Sequence, residues 1–313
     1  MEQATPPSIL IVGAGAIGAF FGSALAKQGA RVSVVCRSDF DEVSQHGYTI
    51  ISHLLGDHVF RPHAVLRDVS QCTDSPDYLL LTTKVLPDVD RAALVRPAVG
   101  KSTTLVLFQN GVDIEEEIAR AFADNELLSA LAFIGVSRTA PGHIHHQSLG
   151  MLTLGRYPSG ITTAAQHLAR MFEGSGVSCQ LSDNVISVRW QKAVWNAVFN
   201  PISILGGVLD TMSMMKTPEN QAFIRAAMNE VCDVAGRLGH PIASEYMDKL
   251  VQATLKMGRY KTSMAQDFEA NRALELEAIL GNVVRTADSL GVNTPILHAL
   301  YALTKMVEGA RPA

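Results

Sequence analysis

Cysteine is scarce: Cys36, Cys72, Cys179 and Cys232 are the only four in 313 residues. They are scattered and include no CxxC pair, so a disulfide framework and a paired-cysteine metal or redox centre both lack support, and four reduced thiols are expected. No apolar run reaches the ~18 residues that would suggest a bilayer span. The Met1–Ser8 start is polar and carries two prolines, and the apolar run behind it breaks at Gly13. It therefore lacks the charged-then-apolar form of a secretory leader, and a cytoplasmic protein is expected. Basic charge is also short, with 26 Lys and Arg against 30 Asp and Glu, a net charge of −4. That balance argues against a nucleic-acid footprint and against a polybasic membrane patch. Repeats and low-complexity tracts are absent as well.

What is present is a large apolar content, 47% against 18% charged residues, enough to fill a substantial core. Ser8–Val12 is a short continuous apolar run ending in glycine, as a buried parallel strand would be. Helical spacing follows over Ala16–Gln28, closed by Gly29. Arg31–Cys36, Tyr78–Thr82 and Thr104–Phe108 are further strand-like runs bounded by turn residues. Additional strands are expected at Tyr48–Ile51, Leu127–Val136, His143–His146 and Met151–Gly155, the last two as a hairpin-like pair. Strands alternating with helices predict a doubly wound α/β sheet.

The pattern changes near Asp183. Val188–Leu205, Glu219–Leu238, Ser244–Leu255, Leu274–Leu290 and Pro295–Val307 carry 3.6-residue apolar periodicity, and strand-like runs disappear. The predicted organisation is a Rossmann-like α/β domain over residues 1–184, followed by an all-helical domain over residues 185–313.

Gly13-Ala14-Gly15-Ala16-Ile17-Gly18 fits G-x-G-x-x-G and lies between the first strand and the first helix, the context a dinucleotide fingerprint requires. The glycines allow a tight turn, close approach of a pyrophosphate, and packing of helix on strand, with the helix N-terminus favouring the anion. The second strand ends in Cys36-Arg37-Ser38, with no acid until Asp39. An arginine there suits a ribose 2′-phosphate, so NADP(H) is the expected cofactor. In the second half, Lys192, Asn196 and Asn200 lie at i, i+4 and i+8 and line one helix face over about 12 Å. Amides suit hydrogen bonds to a small polar ligand, and a lysine in a partly apolar cleft can donate a proton. Glu275 is a candidate to orient it, on a later helix. His143-x-His145-His146 has no third ligand at metal spacing, and no metal site is expected. The methionines around Met212–Met215 are read as adaptable core packing.

These features together resemble the ketopantoate reductase (2-dehydropantoate 2-reductase) family over nearly the whole chain. The shared segments are the N-terminal GAGAIG, Thr82-Thr83-Lys84, Gln109-Asn110-Gly111-Val112, K-x-x-x-N-x-x-x-N-P from Lys192 to Pro201, Ser263-Met264-Ala265-Gln266-Asp267, and Glu275. The resemblance implies reduction of a 2-oxo acid by NADPH, ketopantoate first among candidates, as in pantothenate biosynthesis. It implies Lys192 as proton donor, Asn196 and Asn200 on substrate, Ser263 on the substrate carboxylate, and Glu275 where substrate and cofactor meet. Lys84 and Asn110 would contact cofactor near the reaction centre, and Arg37 its 2′-phosphate. The chain departs from the family pattern at Asp210, where another asparagine is expected, and in the bulky, basic Gly258-Arg259-Tyr260-Lys261 segment. Both departures bear on which acid is bound. A paralogue acting on another 2-oxo acid and a non-catalytic NADP(H) sensor are the alternatives, and a homodimer is compatible with any of them.

Overall fold

The computed structural model describes residues 5–311, so Met1–Ala4 of the leader reading lie outside the described residues. The chain divides into two compact units. One comprises the residues up to Lys84, Val89–Gln109 and Glu115–Val185; the other comprises Val85–Asp88, Asn110–Ile114 and the chain from Ile186 on.

The first unit holds ten strands: β1 (Ser8–Val12), β2 (Arg31–Val35), β3 (Tyr48–Ser52), β4 (His58–Phe60), β5 (Ala64–Leu66), β6 (Tyr78–Leu81), β7 (Thr104–Leu107), β8 (Leu127–Ala140), β9 (His143–Arg156) and β10 (Ser178–Leu181). They form one mixed sheet in the order β4-β3-β9-β8-β7-β6-β1-β2-β5, with β10 on β9. Helices α1 (Ala16–Lys27), α2 (Phe40–His46), α3 (Arg91–Val95), α4 (Glu116–Ala121) and α5 (Thr163–Arg170) belong to the same unit. After Ser8, β1 is apolar because both its faces are covered. Ile9 and Ile11 join one core cluster with Phe20 and Phe21 of α1, while Leu10 and Val12 join another with Leu79 and Leu81. β1 pairs in parallel with β2 on one side and β6 on the other. The winding reverses there, so the loop after β1 opens at the topological switch point where α/β sheets bind ligands.

The hairpin expected between His143–His146 and Met151–Gly155 is corrected. Both segments lie in the single strand β9, and its antiparallel partner is β8. Leu149 and Gly150 adopt positive φ (62° and 126°), which read as a turn, but here they accompany shifts in the β8–β9 register. One half of β9 pairs with β3 and the other with β10.

The second unit is helical: α6 (Val185–Leu205), which enters it from the boundary, then α7 (Thr211–Met214), α8 (Pro218–Arg237), α9 (Ser244–Lys256), α10 (Ser263–Glu269), α11 (Asn282–Leu290) and α12 (Pro295–Gly309). The core gathers Trp190, Val194, Ala197 and Val198 of α6 with Met228, Val231, Val283 and Leu297. Glu230 of α8 accepts from the Ile296 and Leu297 amides (3.0 and 2.9 Å), so a side chain from another helix caps α12. The helix expected over Leu274–Leu290 is also corrected. Residues up to Glu275 are non-helical, and a π-helical turn over Glu277–Gly281 precedes α11. Glu277, at the start of that turn, accepts from Arg285 (2.6 Å), Tyr301 (2.7 Å) and Lys305 (3.2 Å). Among the described residues no helix is long and apolar enough to cross a membrane.

Candidate active site

The glycine loop is held by backbone bonds. Gly13 and Ala14 amides both donate to the Val35 carbonyl (3.1 Å each), and Gly15 N donates to Gly13 O (2.6 Å). Gly13 has φ of +90°, and a Cβ there would come within 2.5 Å of the Thr83 side chain; only glycine meets both demands. A Cβ on Gly18 would lie 2.9 Å from Ile11, so this glycine sets how closely α1 packs on β1. Gly15 differs: its nearest neighbour would be Gly13 O at 3.9 Å. Space is left where a pyrophosphate would approach, before an α1 N-terminus with no side-chain cap. These residues fit a dinucleotide.

Neighbouring side chains secure that loop. Tyr48, fully buried, donates to the Ala14 carbonyl (2.7 Å), and Thr82 Oγ1 donates to the Gly13 carbonyl (2.8 Å). Burial pushes the Tyr48 phenol far above its ordinary pKa, which keeps its proton available for that bond. Gln109 donates to the Thr83 carbonyl (2.8 Å) and accepts from buried Arg91 (3.0 Å). Ala16 and Ile17 begin α1, and Lys84 ends the Thr82-Thr83-Lys84 turn after β6. Arg37 is exposed just past β2.

The helical unit assembles a second group of side chains. Lys192 Nζ donates to Asn110 Oδ1 (2.7 Å). Asn110 belongs to a short segment bound to this unit: Arg189 donates to the Gly111 carbonyl (2.8 Å), Val112 N to Ala278 O (3.1 Å), and Asn282 to the Val112 carbonyl (2.6 Å). Gly111 has φ of +108°, and a Cβ would sit 2.5 Å from the Ala278 carbonyl, which is why glycine follows Asn110. Glu275, one residue before the helix starts, accepts from the Val85 amide (3.0 Å). Desolvation, helped by the buried Arg189 guanidinium one turn back, pushes Lys192 down to about 7, while Glu275 opposes the shift. A lysine tuned to neutrality can give up a proton and recover it.

Further along the same face, Asn196 is half-buried, and Asn200 is 1% exposed with neither amide atom hydrogen-bonded among the described residues. An orphaned buried amide costs roughly 1–3 kcal/mol, and a polar ligand would relieve it. Ser203 donates to the Asn200 carbonyl (2.6 Å) and shares a hydrogen bond with Thr262 (2.8 Å), the N-cap of α10. That tether brings the exposed Ser263, first residue of α10, close to the Asn200 end of α6. Asp210 is committed elsewhere: it caps α7 through the Ser213 amide (2.7 Å) and faces Arg259 (3.4 Å). The structure thus gathers Asn110, Lys192, Asn196, Asn200, Ser263 and Glu275 in one unit, while Gly13–Gly18, Arg37 and Lys84 belong to the other. Arg189 escapes sequence reasoning, although its place three residues before Lys192 was a visible signal. Tyr48 escapes it too, and no motif announces its contact with the loop.

Among known proteins, the family described as ketopantoate reductase PanE/ApbA matches residues 9–159, and its C-terminal counterpart matches residues 184–308. The chain belongs to the ketopantoate reductase family, a family of nicotinamide-dependent oxidoreductases. A 2-dehydropantoate 2-reductase of Nostoc sp. is 31% identical over 304 residues, covering 96% of this chain and 94% of its own. The crystal structure of 2-dehydropantoate 2-reductase from Methylococcus capsulatus shares 48% identity and superposes with a TM-score of 0.90, over 97% of this chain and 98% of that one. D-mandelate dehydrogenase, in a ternary structure with NADH and anilino(oxo)acetate, shares the fold (TM-score 0.86, 23% identity, 97% and 99% covered).

Proposed function

We propose that this protein reduces a 2-oxo acid to the 2-hydroxy acid with NADPH, and that ketopantoate is the substrate, in the cytoplasmic synthesis of pantothenate. The observation that carries the reading is the hydrogen bond from Lys192 to Asn110 on the helix face that ends in the orphaned Asn200 amide, with burial pushing Lys192 down to about 7 in support. NADPH, when bound, supplies the hydride. Lys192 holds the proton at Nζ that the carbonyl oxygen needs as it becomes a hydroxyl, and its positive charge stabilises the developing alkoxide. Asn110 Oδ1 aims that Nζ, and Glu275 sustains its protonated form. Asn196, Asn200 and Ser263 bind the acid, with Ser263 on the carboxylate. Gly13–Gly18 receive the pyrophosphate, Lys84 and Asn110 the nicotinamide end, and Arg37 the 2′-phosphate. With Asp210 tied to α7, its negative charge stays engaged with Ser213 and Arg259.

The test is NADPH consumption across ketopantoate and other branched 2-oxo acids. Turnover highest with ketopantoate is expected. Higher turnover with another acid replaces the substrate. No turnover with any of them, alongside tight NADPH binding, rejects the reductase reading in favour of a sensor.

A further inference from the structure

The corner after β2, where the adenosine ribose of a dinucleotide lies, contains a second arginine that comes from far along the chain. Arg138, near the end of β8, donates through one nitrogen, Nη1, to both Ser38 Oγ (2.8 Å) and Asp39 Oδ1. Its Nε and Nη2 have no protein partner among the described residues, and its side chain is 33% exposed. Arg37, immediately before Ser38, is exposed and makes no hydrogen bond or ion pair among the described residues. Asp39 is the first acid after the strand, the type of residue an NAD site offers to the ribose hydroxyls. Here it is 2% exposed and both oxygens are occupied: Oδ1 by Ser38 (2.7 Å) and Arg138, Oδ2 by the Gly142 amide (3.1 Å) in the β8–β9 turn. The carboxylate is thereby withdrawn from a ribose, and the same contact brings a guanidinium to the Ser38 hydroxyl.

We propose that Arg138, held beside Ser38 by Asp39, is a second phosphate-binding cation at this corner and adds to selectivity for a 2′-phosphorylated over an unphosphorylated dinucleotide. The inference rests on the NADP reading above. Arg37 precedes Ser38 in sequence and Arg138 bonds the Ser38 hydroxyl, and each guanidinium offers planar donors suited to phosphate oxygens. Arg138 also neutralises the buried Asp39, so removing it alone confuses binding with folding. The informative variants are therefore Asp39→Asn, which leaves Arg138 in place without its counter-charge, and Asp39→Asn with Arg138→Met, which removes both charges together.

Dissociation constants of NADPH, NADH, 2′,5′-ADP and 5′-AMP are to be measured by calorimetry on the full chain, wild type and variants, with Arg37→Met as reference. The double variant is expected to bind NADPH and 2′,5′-ADP roughly tenfold more weakly, with NADH and 5′-AMP unchanged. Asp39→Asn alone is expected to bind the phosphorylated pair as tightly as wild type or severalfold more tightly. If the double variant keeps the wild-type NADPH-to-NADH ratio while Arg37→Met loses it, Arg138 serves only to hold Asp39 and the inference is overturned. A wild-type chain that binds NADH as tightly as NADPH removes the NADP reading itself, and this inference with it.

Discussion

At the glycine loop, the backbone groups that shape the turn are answered by neighbours: Val35 O takes two amides, Tyr48 and Thr82 donate to the carbonyls of Ala14 and Gly13, and Gln109 secures Thr83. Along α6 the arrangement is the opposite. Asn200 is buried with both amide atoms unmatched, Pro201 interrupts the helical ladder behind it, and Lys192 is held where its charge is disfavoured. The loop is therefore a rigid frame whose fit is already made in the protein alone. The helix face ends in an unmet polar demand, the Asn200 amide, that a polar ligand would satisfy. Binding geometry and stability support each other in the first region and oppose each other in the second.

The strongest way to test this contrast is Lys192→Met. Turnover should fall by about 10³-fold or more, the scale expected of a lost general acid that also stabilises the alkoxide, while the NADPH dissociation constant stays unchanged. Steady-state kinetics and cofactor titration together measure this. Turnover within tenfold of wild type removes Lys192 from the chemistry. Asn200→Ala should follow with a smaller effect, kcat/KM lower by about 10–100-fold. Its melting temperature should hold or rise, because the orphaned amide goes with the side chain. A marked loss of stability instead would show that Asn200 serves the core and not a ligand.

The frame is tested by a pair of glycines. Gly13→Ala meets both a left-handed φ and the Thr83 side chain, so it should lower the melting temperature by several degrees as well as weaken cofactor binding. Gly15→Ala has negative φ and open space, so the melting temperature should be nearly unmoved while NADPH binding weakens about tenfold. Equal destabilisation by both substitutions would mean that Gly15 is part of the frame and not the approach left for a ligand.

The two regions also differ in how far the sequence discloses them. The glycine loop is local: a strand, a turn and a helix within Ser8–Lys27, each with a recognisable residue preference. The i, i+4, i+8 spacing of Lys192, Asn196 and Asn200 is local too, and the family resemblance added Ser263 and strengthened Glu275. What stayed hidden depends on contacts between distant residues. Glu275 meets the Val85 amide across 190 positions, and Arg138 meets Asp39 across 99. Tertiary pairing also reverses local expectations. Leu149-Gly150 has the dihedrals of a turn but lies within a strand, because β8 pairs with β9 on both sides of it. Glu275 follows a helical pattern but lies one residue before the helix, where its carboxylate meets the distant Val85 amide.

The smallest expected effect separates tuning from mere burial, and it is read from pH. Lys192 titrates near 7 in the folded chain and at its ordinary value of 10.5 once unfolded. Between those values the unfolded chain binds the extra proton, so this group makes stability rise with pH across the window. Below about 7 both states are protonated and the full penalty of the buried charge is present. Wild type should therefore gain a few degrees of melting temperature relative to Lys192→Met between pH 7 and pH 10, with the variant the more stable of the two at the lower end. Reduction should show the reverse trend, falling toward tenfold per pH unit above about 7 as Nζ loses the proton it must donate. A wild-type minus variant difference that is flat across this window would mean that the ammonium is solvated in the native state. The barrier to the reaction would then owe nothing to the desolvation of Lys192, and Asn110 and Glu275 would be left as the groups that set its proton affinity.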